Sequence, residues 1–190
     1  MRIIGGRHRG RRLLAPPGDV VRPTSDRARE ALFNILSHGP FAADGIPFAG
    51  AAVLDAFAGT GAFGLEALSR GAAKAVFIER DPEAVAVLRR NVAALGESAH
   101  VEIVPGDATH PPRAASQCAV AFVDPPYRSG LAAPALDALD RAGWLAPNGL
   151  VIIELGAREE LVPPAWFILL EERVYGAARL VFLRRENSRR

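Results

Sequence analysis

From residue 51 onward the chain alternates short apolar runs with stretches of helical periodicity, and this alternation constrains the fold more than any other feature of the sequence. The apolar runs fall at 51–57, 75–79, 101–104, 119–124 and 150–155, and the helical spacing at 62–70, 82–95, 131–143 and 157–161. Strands joined through helices return parallel, so the pattern predicts a parallel sheet covered on both faces. Two further runs, 167–173 and 178–184, flank Tyr175-Gly176 with no helix between them, which predicts an antiparallel hairpin at the sheet edge.

Upstream of the alternation the organisation differs. Residues 1–22 form a basic, glycine-punctuated segment in which Ile3-Ile4 and Leu13-Leu14 flank Gly5-Gly6 and Gly10, as a hairpin-like arm would. Thr24, Ser25 and Asp26 are cap candidates for a helix carrying Ala28, Ala31, Leu32, Ile35 and Leu36 at helical spacing, with Gly39-Pro40 as its stop. Arg22, Arg27 and Arg29 then crowd the positive end of that helix's dipole, so an anion nearby is expected. The division is an arm over 1–22, a helix and linker over 23–50 and a main domain over 51–190.

Composition excludes several classes. No apolar run reaches the roughly 18 to 20 residues of a membrane span, and the basic N-terminus lacks an apolar signal core, so a cytoplasmic location is expected. Cys118, the only cysteine, can form no intrachain disulfide and reads as a buried small hydrophobe. Net charge is only +2, but Arg2, Arg7, His8, Arg9, Arg11 and Arg12 all precede the first acid, Asp19. Such a run is either a solvated terminus or a contact surface for an anionic polymer.

The first apolar run leads into Asp55-Ala56-Phe57-Ala58-Gly59-Thr60-Gly61-Ala62-Phe63-Gly64. Glycines at 59, 61 and 64 allow a ligand to approach the backbone between a strand and a helix, although a tight turn without a ligand has the same spacing. Asp55 separates the ligand classes: a carboxylate repels a pyrophosphate but stabilises the ammonium and sulfonium of S-adenosylmethionine. Glu79, at the end of the second run, can accept the hydroxyls of a ribose, and Asp107, after the third, an adenine amine. Phe57, Ala58, Thr60, Arg80 and Ala108 complete the expected donor site, and no metal is needed.

The fourth run delivers Asp124-Pro125-Pro126-Tyr127. The lone pair of an exocyclic base amine is delocalised into its ring, so a catalyst must draw the N–H bonds out of plane. The Asp124 carboxylate and the Pro125 carbonyl can each accept one, and they stabilise positive charge as it develops. The two prolines hold the backbone extended without competing N–H groups, and Tyr127 offers a ring on which an extruded base stacks.

These residues resemble the class I methyltransferases with an amino-directed Asp-Pro-Pro-Tyr motif. More narrowly they are similar to the RsmD family of bacterial 16S rRNA guanine-N2 methyltransferases. The narrower likeness rests on Arg2-Ile3-Ile4-Gly5-Gly6, Arg9-Gly10-Arg11, the block Arg22 to Asn34, Asp55 to Gly64 followed by Leu65-Glu66-Ala67-Leu68-Ser69-Arg70, and Asp124 to Tyr127. It implies a Rossmann-like α/β fold with a seven-stranded, mostly parallel sheet and a small basic N-terminal extension. It further implies S-adenosylmethionine as donor, and 16S rRNA within a 30S subunit or assembly intermediate as partner, for an enzyme expected to be monomeric. Arg7, Arg9, Arg11 and Arg12 become candidates for phosphate contacts, and Arg22, Thr24 and Arg27 for the substrate mouth.

Rival readings are an adenine-N6 methyltransferase acting on DNA or RNA, a protein-glutamine methyltransferase, an NAD-dependent oxidoreductase and a binding module without activity. Short length leaves little room for a DNA target-recognition domain. The glutamine-directed pattern usually carries asparagine in place of Asp124. A binding module leaves the Asp-Pro-Pro-Tyr segment unexplained.

Overall fold

The computed structural model describes residues 1–15, 23–42 and 47–186, with side chains in the first helix described from residue 28. The helices are α1 (Pro23–His38), α2 (Ala62–Ser69), α3 (Pro82–Leu95) and α4 (Ala132–Arg141). The strands are β1 (Ala52–Ala56), β2 (Lys74–Glu79), β3 (Val101–Pro105), β4 (Cys118–Val123), β5 (Leu145–Gly156), β6 (Phe167–Tyr175) and β7 (Ala178–Arg185). They form one seven-stranded sheet in the order β3-β2-β1-β4-β5-β7-β6. β3, β2, β1, β4 and β5 pair in parallel, whereas β7 lies antiparallel between β5 and β6. The expected mostly parallel seven-stranded sheet with its C-terminal hairpin is therefore present.

Period-two alternation explains the two-sided core. Val53, Phe77, Val120, Phe122 and Ile152 point to one face, where they meet α1, α2, α3 and the N-terminal hairpin. Leu54, Val76, Ala121, Val123 and Ile153 point to the other, where Ala135, Leu136 and Leu139 of α4 and Trp144 cover them. With both faces buried, these strands read as nearly continuous apolar runs. Cys118 is buried on the second face, and burial pushes its thiol up to about 12, which makes it the small hydrophobe expected.

Capping chemistry sets the helix ends. Asp81 accepts the Glu83 N–H at 2.8 Å, Pro82 sits in the first turn, and Gly96 closes α3 at φ +73°, the left-handed conformation a glycine tolerates best. Two expectations require correction. Residues 157–161 form no helix: the Glu159 N–H bonds Gly156 O in a turn, Ala157 bonds back to Ala177, and Pro163-Pro164 bar continuation of a segment too short to nucleate. α1 begins at Pro23, so Thr24, Ser25 and Asp26 occupy its first turn rather than a cap.

The N-terminal arm is a hairpin closed by the Arg2–Arg12 bridge, with Ile3 and Leu13 buried in the same cluster as Leu32, Phe33, Leu36 and Phe48. It is fastened to α2 by Glu66, which is fully buried. One Glu66 carboxylate oxygen accepts the Ile4 N–H at 2.7 Å, and the other accepts both the Gly5 N–H at 2.8 Å and Arg70 Nε at 2.6 Å. Arg29 approaches Glu66 to 4.0 Å and donates to Arg2 O at 2.7 Å. The anion expected beside the α1 arginines thus includes a group of the protein itself.

Candidate active site at the strand carboxyl ends

Parallel pairing brings the carboxyl ends of β1, β2, β3 and β4 to one edge of the sheet, with Ala56 level with Ile78 and Val123, and Glu79 level with Pro105. The backbone then crosses between strands: Ala58 N–H donates to Ile78 O, Gly106 N–H to Glu79 O and Asp124 N–H to Ala56 O. Glu79 ends β2 at this edge, Asp107 and Asp124 follow just past β3 and β4, and Asp55 lies one residue inside it on β1.

The loop after β1 is held from beneath. Asp55 is buried and its carboxylate accepts the Gly64 N–H at 2.9 Å, so the acid anchors the first turn of α2. Burial pushes its carboxyl up to about 7, against the lowering effect of the Gly64 N–H, with the Glu79 charge adding to the rise. Asp55 therefore stands behind the loop and acts on a ligand through charge and loop shape. Phe57 holds a left-handed φ of 61°, a strained conformation of the kind that concentrates at functional sites. A Cβ on Gly61 would lie 2.3 Å from Leu88, and one on Gly64 would lie 2.5 Å from Phe77, so these two glycines serve loop–core packing. Gly59, at φ +53°, faces open space and leaves its backbone approachable.

Glu79 accepts the Gly59 N–H at 2.7 Å through one oxygen and the Asp81 N–H at 2.8 Å through the other. Asp107 accepts the Thr109 N–H and hydroxyl, both at 2.8 Å, and those bonds hold its carboxyl below the usual carboxylate range. Arg80 lies 3.8 Å from Asp107, exposed, and the side chain of Ala108 is buried under the sheet.

A cavity of about 240 Å³ opens beside the loop, lined by Phe57, Ala58, Gly59, Thr60, Ala62 and Phe63, by Phe122 of β4 and Asp124 just past it, and by Glu154 of β5. Leu180 of β7, Ala28, Arg29 and Leu32 of α1, and Met1 complete its wall. Stacked rings continue outward from it, Phe122 on Phe63 at 4.6 Å and Phe63 on Phe33 at 5.2 Å, and fix α1 to α2 and β4. Asp124, the loop and the arm's first residue thus share one chamber. Glu79, Arg80, Asp107 and Ala108 lie outside its lining, along the strand ends. Pro125 is buried, Pro126 exposed, and Tyr127 half-buried with its hydroxyl donating to Glu154 at 2.9 Å.

Sequence reasoning did not single out Met1, Arg29 as a cavity residue, or Glu154. Glu154 reads as one polar residue in an apolar run, and only the fold brings it to the cavity that Asp124 lines.

The arm arginines divide. Arg7 forms a two-point pair with Glu97, at 2.9 and 2.7 Å, where His8 also meets the carboxylate. These partners hold Glu97 below the usual carboxylate range. Arg11 donates to Ala94 O at 2.6 Å. Arg9 and Arg12 are exposed on the hairpin. Arg22 lies outside the described residues, as do the side chains of Thr24 and Arg27.

A family model described as Conserved hypothetical protein 95 matches residues 1–184. Ribosomal RNA small subunit methyltransferase D of Escherichia coli is 40% identical over 189 residues, covering 98% of this chain and 90% of that protein. Its namesake in Haemophilus influenzae is 35% identical, covering 93% and 89%. Among solved structures, yhhF from Escherichia coli superposes with a TM-score of 0.82 at 37% identity over 99% of both chains. The hypothetical protein TTHA0928 of Thermus thermophilus gives 0.73 at 33%, covering 96% of this chain and 98% of that one. Likeness of this extent, over the arm, the loop and the Asp-Pro-Pro-Tyr segment together, makes the chain a member of the Conserved hypothetical protein 95 family.

Proposed function

We propose that this chain transfers a methyl group from S-adenosylmethionine to the N2 amine of a guanine in small-subunit ribosomal RNA. The observation that carries the reading is that Asp124 shares one cavity with the glycine loop after β1. The relatives bearing the name of an rRNA small subunit methyltransferase support the substrate class.

The residues present fit the donor. Gly59 presents open backbone, Asp55 sets a carboxyl behind the loop, and Asp124 and Glu154 bring carboxylates to the cavity wall, which suits a cationic ligand better than a pyrophosphate. Glu79 and Asp107 retain acceptor capacity for hydroxyl and amine donors, since a carboxylate offers about four lone-pair sites. When bound, S-adenosylmethionine supplies an electrophilic methyl carbon on a positively charged sulfur.

The chain's own residues then do three things. The loop and the cavity wall set the amine in line with the transferable carbon, so that proximity lowers the barrier. Asp124 and the Pro125 carbonyl accept the two amine N–H bonds and direct the nitrogen lone pair out of the ring plane. Asp124 finally holds the proton that the amine loses, once the lone pair has formed the N–C bond and the C–S electron pair has stayed with sulfur. Arg9 and Arg12 provide phosphate contacts that position the RNA without reading its sequence.

Thermal shift with S-adenosylhomocysteine and with NAD tests the donor. Stabilisation by S-adenosylhomocysteine alone is expected, and stabilisation by NAD alone would replace this reading with an oxidoreductase.

A further inference from the structure

We propose that Glu154 selects guanine, accepting the N1–H of the target base while Asp124 and the Pro125 carbonyl hold its N2 amine. The inference rests on the guanine reading and adds to it the residue that rejects adenine.

Position comes first. β4 and β5 pair in parallel with Val123 level with Ile153, so Asp124, the first residue past β4, follows alongside Glu154, the next residue of β5. Both line the same cavity. On its other side β5 pairs with β7, which sets Glu154 level with Leu180, a further wall residue. Glu154 is thus fixed by a strand within the sheet rather than carried on a loop. Its carboxylate also accepts the Tyr127 hydroxyl at 2.9 Å, which ties its orientation to the Asp-Pro-Pro-Tyr segment.

Chemistry comes second. Guanine carries two kinds of donor side by side on its Watson–Crick edge, N1–H and the N2 amine, whereas adenine and 2-aminopurine present a lone pair at N1. With the N2 amine directed at Asp124, the N1 atom next to it faces the neighbouring strand end. A carboxylate there accepts N1–H from guanine and repels an N1 lone pair. Its several lone-pair sites allow it to keep the Tyr127 bond while it does so. Arg29 lines the same cavity and offsets part of the charge of the two acids. Flipped bases are read in this way, by hydrogen bonds to the Watson–Crick edge in a closed pocket.

The test compares acceptors that both carry the N2 amine but differ at N1. Small subunits are assembled from rRNA bearing either guanine or 2-aminopurine at the methylated position. kcat/KM is measured for the wild type, Glu154→Gln and Tyr127→Phe. Glu154→Gln keeps an oxygen for the Tyr127 hydroxyl while offering an N–H to N1. It should reduce the preference for guanine over 2-aminopurine by roughly ten- to a hundredfold, the worth of a hydrogen bond to a charged group. Tyr127→Phe keeps the stacking ring but loosens the Glu154 carboxylate, and should lower the preference for guanine by less than Glu154→Gln does. Equal slowing of both acceptors by Glu154→Gln, with S-adenosylhomocysteine affinity retained as proof of folding, would reduce Glu154 to a support for Tyr127 and overturn the proposal. Wild-type transfer to adenine instead of guanine would remove the underlying guanine reading as well, and is seen in the nucleoside product before any variant is compared.

Discussion

Asp124 follows β4 and Asp55 lies near the end of β1, yet their surroundings give them different work. Asp124 lines the cavity and, in the proposed reaction, accepts an N–H of the acceptor base, so Asp124→Ala should lower methyl transfer by about a hundred- to a thousandfold, the scale of removing one hydrogen bond to developing charge, while S-adenosylhomocysteine still binds. Single-turnover assays with a parallel binding measurement check this, and unaltered turnover would remove Asp124 from the reaction. Asp55 is buried behind the loop with its carboxyl raised to about 7. Because the folded value exceeds the ordinary 3.8, the native state holds a proton that the unfolded chain has released between those two values. Stability should therefore fall as pH rises from about 4 to 7. Denaturant titrations of Asp55→Asn across that window should show a flatter profile than those of the wild type, and an identical slope would mean that Asp55 titrates normally.

At the scale of elements, the N-terminal hairpin is tied to the core by a buried acid and by Ile3 and Leu13. Glu66 of α2, itself fully buried, gathers the Ile4 and Gly5 N–H groups and Arg70, with Arg29 at 4.0 Å. Glu66→Ala leaves those donors and two cations without their acceptor, and should destabilise the fold by about 3 to 5 kcal/mol in denaturant titrations, with hydrogen exchange accelerated first in the hairpin. A midpoint equal to that of the wild type would show the hairpin to be peripheral. The sequence foretold the hairpin from its glycines and apolar pairs. It could not foretell the attachment, because a buried glutamate on an eight-residue helix looks like any other polar position until the partner backbone arrives. The same limit explains β5, which starts at Leu145 rather than 150. Pro147-Asn148-Gly149 reads locally as a turn, yet pairing with β4 carries the strand through it with a shift of register between Cys118 and Val120.

Across the whole molecule, the order of elements was legible because parallel strands buried on both faces must be apolar and helices between them amphipathic. Asp124 was legible as a cavity residue because it follows directly on the fourth apolar run. Glu154 and Leu180, across the sheet, were not, since strand order is a property of long-range pairing. The basic arm lies against the cavity through Met1, while its tip reaches the C-terminal end of α3, where Arg7 meets Glu97 and Arg11 meets Ala94 O. With Arg7 and Arg11 engaged by Glu97 and Ala94, Arg9 and Arg12 become the cleaner probes of RNA binding. Replacing both with alanine should reduce the slope of log affinity against log salt by about 0.7 to 0.9 for each phosphate that is no longer neutralised. An unchanged slope would return the arm to the role of a packed, solvated terminus. No helix among the described residues is long and apolar enough to cross a membrane. The central claim is tested most directly by the product itself: small subunits from a strain lacking the enzyme, incubated with the protein and methyl-labelled S-adenosylmethionine, then digested to nucleosides. N2-methylguanosine at a single position is the expected result, whereas label in N6-methyladenosine, or no label in RNA at all, would contradict it.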